Sequence, residues 1–188
     1  MKLKKLEESI YKAPIVKKGN YDYIVHPITD GVPSIEPGLL KEITKEFKVL
    51  SKKFLPFDRI VTMEAMGIPL ASALSLETGI PFTIIRKREY GLPGEVSVEQ
   101  TTGYSKSRMF INGLSKGDRI IIVDDVLSTG GTLRAVLSSL QNIGVVVKGV
   151  FIVLNKGASL TSISKEFNVP IITLVSIDII DGKVIIQK

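Results

Sequence analysis

The residues best suited to chemistry lie in one run, Asp124-Asp125-Val126-Leu127-Ser128-Thr129-Gly130-Gly131-Thr132. Ile120, Ile121, Ile122 and Val123 precede it, four β-branched residues that read as a buried strand. The two aspartates fall at its carboxyl end, where open α/β sheets take their ligands. Gly130 and Gly131 let the chain turn tightly, so that successive N–H groups converge on one point. The dipole of a following helix and the hydroxyls of Ser128, Thr129 and Thr132 complete a cradle for a phosphate monoester. Adjacent carboxylates beside such a cradle suit the vicinal hydroxyls of a polyol such as ribose, or a metal. A plain strand-to-helix turn with a threonine cap is the structural alternative, and the order of residue types speaks against it. Neither a G-x-x-x-x-G-K-[ST] loop nor a G-x-G-x-x-G fingerprint occurs in the chain.

Composition narrows the chemistry further. The 188 residues contain no cysteine and one histidine, His26, which excludes disulfides, thiol nucleophiles and histidine-rich metal clusters. His26 is expected to be a structural histidine rather than a catalytic base. A net charge of +6 is spread over both halves of the chain, which suits small anionic substrates. No nucleic-acid-binding motif accompanies it, so nucleic acid is not expected as a partner. No apolar run is long enough to span a membrane and the N-terminus is charged, so a cytoplasmic protein of one domain, residues 1–188, is expected.

Two further segments stand out. Glu64-Ala65-Met66-Gly67 follows an apolar strand pattern and, taken alone, reads as a helix start. Arg86 to Arg108 opens with three cations, Arg86, Lys87 and Arg88, and holds Gly91, Pro93, Gly94 and Gly103 among few large apolar groups. An irregular stretch of that length is expected to be either a functional lid or disordered.

The Asp124–Thr132 run, with these two segments, resembles the type I phosphoribosyltransferases, which use 5-phosphoribosyl-1-pyrophosphate (PRPP), and most of all the archaeal-type hypoxanthine/guanine enzymes. By that resemblance Asp124 and Asp125 hold the ribose hydroxyls, and Val126 to Thr132 the 5′-phosphate. Glu64, Ala65, Met66 and Gly67 form the pyrophosphate loop, although Met66 stands where adenine-specific relatives often carry a basic residue. Arg86 and Lys87 become pyrophosphate ligands, and residues 87–107, with Glu95 and Tyr104, a flexible lid. A hood built from about 1–36 and 176–188 covers the purine, near Ile24, Val25 and Lys156. The Lys156 ammonium can donate to a purine O6 but not to a 6-amino group. The resemblance implies Mg²⁺ bound with PRPP and pyrophosphate, no metal site from protein alone, and a homodimer. Adenine is the alternative base, and a non-catalytic PRPP-sensing regulator the alternative outside catalysis.

Positioning these residues requires an α/β fold, a mostly parallel sheet flanked by helices. Strands are expected at Tyr23–Val25, Ile60–Met63, Phe82–Arg86, Met109–Ile111, Ile120–Val123, Val150–Leu154 and Ile171–Val175. Helices are expected from Pro37 through Leu50, around Leu70, Leu74 and Leu76 up to Gly79, and from Leu133 to a terminating Gly144. Ile177–Ile180 and Val184–Ile186, joined by Asp181-Gly182, read as a hairpin that packs with the N-terminal segment as a cap.

Overall fold

The computed structural model describes residues 3–19, 21–102 and 105–187. In chain order its elements are α1 (Lys4–Lys12), β1 (Ile15–Lys18), β2 (Tyr21–Ile24), α2 (Pro27–Asp30), α3 (Pro37–Ser51), β3 (Arg59–Met63), α4 (Gly67–Thr78), β4 (Phe82–Ile85), β5 (Val96–Thr102), β6 (Ser105–Ile111), β7 (Arg119–Leu127), α5 (Gly131–Ile143), β8 (Val146–Asn155), α6 (Ser159–Phe167), β9 (Ile171–Ile180) and β10 (Lys183–Gln187).

Six strands form the central sheet in the order β10-β9-β8-β7-β3-β4. All neighbours in it are parallel except β9 and β10. Strand parity divides the core, because successive side chains point to opposite faces. Ile121 and Val123 join Leu39, Ile43, Phe47, Leu70 and Leu74 on the side of α1, α3 and α4. Ile120 and Ile122 join Leu133, Val136, Leu140 and Ile163 on the side of α5 and α6. With both faces covered there, the Ile120–Val123 stretch of β7 is apolar throughout and shows no alternation. Each such side chain, fully buried, contributes about 1.5–3 kcal/mol of transfer free energy.

The helices starting at Pro37 and ending at Gly79 and Gly144 stand as expected, and both glycines adopt the left-handed cap conformation. Leu76 is 88% exposed, because two residues beyond buried Leu74 is the far side of a helix.

Two expectations need correction. Residues 86–108 are not irregular throughout: β5 and β6 pair antiparallel from Val96↔Ile111 to Thr102↔Ser105. Val98, Met109 and Ile111 anchor that ribbon in the α5 side of the core, which supplies the burial that a glycine-rich stretch seemed to lack. The C-terminal hairpin does pack against α1, but it is not separate from the sheet: β9 is one strand of 10 residues and β10 extends the edge of the main sheet. Beyond these, the charged N-terminus forms a helix for which no element was expected. Leu6 and Ile10 bury its apolar stripe, and the Glu42 carboxylate of α3 accepts the N–H groups of Lys5 at 3.1 Å and Leu6 at 2.9 Å. No helix among the described residues is long and apolar enough to cross a membrane.

Candidate active site

β7 does not stop at Val123 but runs on to Leu127, so Asp124 and Asp125 lie inside the strand, with Asp124 opposite Ile152 of β8. The chain then turns through Ser128 and Thr129 and enters α5. Gly130 makes the turn at φ +79°, and a side chain there would overlap Ile163 and crowd Ser159 Oγ at 3.0 Å. The loop is held from behind: the Lys156 N–H donates to Leu127 O at 2.8 Å, and Ser159 Oγ donates to Ser128 O at 3.0 Å. A cleft of about 250 Å³ opens above it, lined by every residue from Asp124 to Thr132 and, across the way, by Glu64 and Ala65.

Asp125 is buried, and its carboxyl is pushed up to about 6 by that burial, less than it would be without its hydrogen bond to Asp124 and the charge of Lys156. Asp124 is raised too, by burial and then by the charge of Asp125 beside it. Two carboxyl groups in that condition accept donors or a cation readily. Gly67 brings the Glu64–Gly67 loop close to them. A Cβ there would overlap Thr62 Oγ1 and stand 2.6 Å from Asp124 Oδ1. The Glu64–Ala65 peptide at the head of this loop is cis. Met66 turns away, its Cε 3.5 Å from where a Cβ on Gly31 would be, so it joins the loop to the N-terminal hood.

Arg86 does not line the cleft directly. Its Nε donates to Glu64 Oε2 at 2.9 Å, and the Lys87 N–H donates to the same oxygen at 3.2 Å. These two bonds hold Glu64 below the usual carboxylate range. Lys87 and Arg88 are exposed, and Arg88 lies 5.6 Å from the centre of the Tyr90 ring. Glu95 accepts from the backbone of Tyr90 at 3.0 Å and Gly91 at 3.0 Å and from Asn112 Nδ2 at 2.7 Å, fastening the approach to the β5–β6 ribbon. Tyr104 lies outside the described residues.

On the hood side, Ile24 gives its side chain wholly to the core, while Val25 is half-buried and its N–H donates to Pro14 O at 2.9 Å. His26 is fully buried and caps α2: its Nδ1 accepts from the Ile28 N–H at 3.2 Å, and its Nε2 meets Ser9 Oγ at 2.9 Å. That network assigns the proton to Nε2. Burial first, then the charge of Lys156, lowers the imidazole to about 4, so it stays neutral. Lys156 stands 5.1 Å from the centre of the Tyr23 ring. Tyr23 and Asp30, which complete this corner, were not singled out from sequence. The only signal was that Tyr23 must face opposite to core-bound Ile24.

A parallel sheet that delivers paired carboxylates and a backbone-lined phosphate cradle to one cleft defines a class of α/β proteins that bind sugar phosphates at the strand ends. The phosphoribosyl transferase domain matches residues 35–178, and the chain belongs to that family. It is 50% identical over 184 residues to the hypoxanthine/guanine phosphoribosyltransferase of Methanocaldococcus infernus, covering 97% of this chain and 100% of that one. To the protein of the same name from Methanobacterium lacus it is 51% identical over 183 residues, 97% of this chain and 95% of the relative. Among solved structures, adenine phosphoribosyltransferase from Saccharomyces cerevisiae superposes with a TM-score of 0.74 at 24% identity, covering 92% of this chain and 97% of its own. The enzyme of that name from Leishmania tarentolae gives 0.74 at 22% identity, with 94% and 88% covered. At such identities these two speak for the fold alone.

Proposed function

We propose that this protein transfers the 5-phosphoribosyl group of PRPP to hypoxanthine or guanine, releasing pyrophosphate and forming the nucleoside 5′-monophosphate, a purine-salvage reaction. The observation that carries the reading is the cleft in which Asp124 and Asp125 adjoin the Ser128–Thr132 cradle, opposite Glu64 and Ala65. The choice of base follows the two archaeal relatives, each about half identical over nearly the whole chain.

In this reading the N–H groups and hydroxyls of Ser128 to Thr132 take the 5′-phosphate, with the α5 dipole behind them. Asp124 and Asp125 accept hydrogen bonds from the ribose O2′ and O3′ hydroxyls, fixing the ring so that C1′ faces the Glu64–Gly67 loop. The bond from C1′ to pyrophosphate breaks, its electron pair leaving on the pyrophosphate oxygen, as that from C1′ to the purine nitrogen forms, and the purine's N–H proton is released to water. Arg86 and Lys87 stand at the leaving-group end and balance its growing charge. The β5–β6 ribbon closes over the site and keeps water from the cationic sugar. Lys156 donates to the purine O6.

The residues also fit Mg²⁺. Asp124 and Asp125 are both raised by burial, and Asp124 also by the charge beside it, a state that a nearby cation relieves. Among the described residues no group of three or more acidic or histidine side chains stands together, so the ion would draw its remaining ligands from substrate and water. When bound, Mg²⁺ would supply neutralisation of the pyrophosphate oxygens.

The test is PRPP-dependent release of pyrophosphate with hypoxanthine, guanine, xanthine and adenine in turn. Turnover of the first two with adenine much poorer is the expected result. Preference for adenine, or no turnover with any base, refutes the reading.

A further inference from the structure

β3 carries one polar residue in its buried stretch. Ile60, Val61 and Met63 are buried in the core, and Thr62 between them is fully buried too. Thr62 shares a face of the strand with Ile60, which joins Leu70, Ala71 and Leu74 of α4 in the core. The pairing of β3 with β7 runs from Arg59↔Ile120 to Val61↔Ile122, so Thr62 stands just beyond its last paired residue.

Thr62 Oγ1 is sealed from water and has no hydrogen-bond partner among the described residues. A valine would fill the same space without the cost of a buried, unsatisfied hydroxyl. The surroundings show what the hydroxyl can serve. A Cβ on Gly67 would overlap Thr62 Oγ1 and would stand 2.6 Å from Asp124 Oδ1 and 3.1 Å from Val123 O. The threonine hydroxyl and the aspartate oxygen thus converge on one point, which the glycine keeps open. No hydrogen bond joins them as they stand. The last torsion of an aspartate is soft, and a turn of the carboxyl about it brings Oδ1 toward the hydroxyl. Threonine is stiff at χ1 while its O–H rotates, so Thr62 offers a fixed oxygen with an adaptable proton.

We infer that Thr62 is a positioning residue for Asp124: its hydroxyl donates to Oδ1 when ribose is bound and so aims the other carboxylate oxygen at the sugar hydroxyls. This rests on the function proposed above. Thr62 does not line the cleft, and it acts on the sugar through Asp124.

The experiment compares PRPP affinity with thermal stability. Thr62→Val keeps the shape and removes the hydroxyl. It should weaken PRPP binding, measured by calorimetry with Mg²⁺ present, by roughly three- to tenfold, the worth of one net hydrogen bond. Its melting temperature should be unchanged or higher, because an unsatisfied group has left the core. Thr62→Ser, which keeps the hydroxyl, should hold PRPP affinity within about twofold of wild type. In the Asp124→Asn background Thr62→Val should change PRPP affinity by less than about twofold. Where Thr62→Val does not fold, Thr62→Ser and Thr62→Ala make the same comparison of hydroxyl against none. A fall in melting temperature in step with the loss of affinity would mean that the hydroxyl serves the fold, through Val123 O, and overturns the inference. Equal losses in the wild-type and Asp124→Asn backgrounds overturn it as well. A wild type that does not bind PRPP overturns the function proposed above and this inference with it. A wild type that does, with affinity intact in Thr62→Val, overturns the positioning role alone.

Discussion

The carboxylate of Glu64 and the guanidinium of Arg86 are joined, Oε2 to Nε, at 2.9 Å across the rim of the cleft. Glu64 thereby occupies the cation expected to meet pyrophosphate, and its Oε2 also takes the Lys87 N–H. A protein carboxylate stands in the role of a phosphate oxygen.

Replacing that carboxylate by a neutral amide of the same shape should release Arg86 to a ligand. Glu64→Gln is expected to bind inorganic pyrophosphate roughly two- to fivefold more tightly, a modest gain because the pair is partly exposed and screened. Titration calorimetry measures it. Weaker binding would mean that Glu64 aims Arg86 rather than competing for it.

The Asp125 carboxyl carries a pH-dependent cost in stability. Its carboxyl is raised to about 6, so the folded state is penalised when the group is charged: the favourable contribution is complete below the unfolded value of 3.8 and lost as pH rises through 6. Asp125→Asn should therefore gain stability on the order of 1–3 kcal/mol at pH 8, and the gain should fade toward pH 4. In the same variant kcat/KM should drop on the order of 10- to 100-fold as a charged bond to ribose is lost. Thermal melts across pH, with steady-state kinetics, check both. A variant with wild-type kinetics would remove Asp125 from the ribose site.

His26 has the opposite pH signature. Its folded value of about 4 lies below the unfolded 6.5, so the unfolded chain binds the extra proton and stability is lost as pH falls from 6.5 toward 4. The loss reaches about 3 kcal/mol at full extent. His26→Asn should lack this slope, and because the aspartates contribute alike to both proteins, the difference between the two denaturation profiles isolates the imidazole. Parallel profiles would show that His26 titrates normally.

The β5–β6 ribbon should show graded hydrogen exchange. Val98 and Met109 are buried in the core and their amides should be protected at all times. The amides of Glu99 to Thr102, paired only with β6, should exchange fast in the free protein and slow when PRPP and hypoxanthine bind. Equal rates in both states would make the ribbon a static arm.

Sequence reasoning located what is local. The strand, turn and helix around Asp124–Thr132 and the hairpin turn at Asp181-Gly182, both residues at positive φ, are written in consecutive residues. It missed α1 and α6, whose apolar stripes of Leu3, Leu6 and Ile10 and of Leu160, Ile163 and Phe167 are thin among charges and hydroxyls. It placed the Met109–Ile111 end of β6 but missed β5 and the pairing, because Gly and Pro just before β5 masked the alternation of Val96 with Val98. The corner of Tyr23, Asp30 and Lys156 has no local signature at all. Its members are brought together by β2, α2 and the end of β8, and only a tertiary structure places an ammonium over a ring.

Lys156 performs two tasks with two separate parts. Its backbone N–H supports the phosphate loop through Leu127 O at 2.8 Å, a service any residue but proline can render. Its side chain alone faces the Tyr23 ring. On the proposed function, position 156 would then be a seam along which base preference is exchanged while the support of the phosphate loop is inherited unchanged. A descendant, natural or engineered, could alter its diet by one codon, and proline is the single choice there that would cost both skills at once.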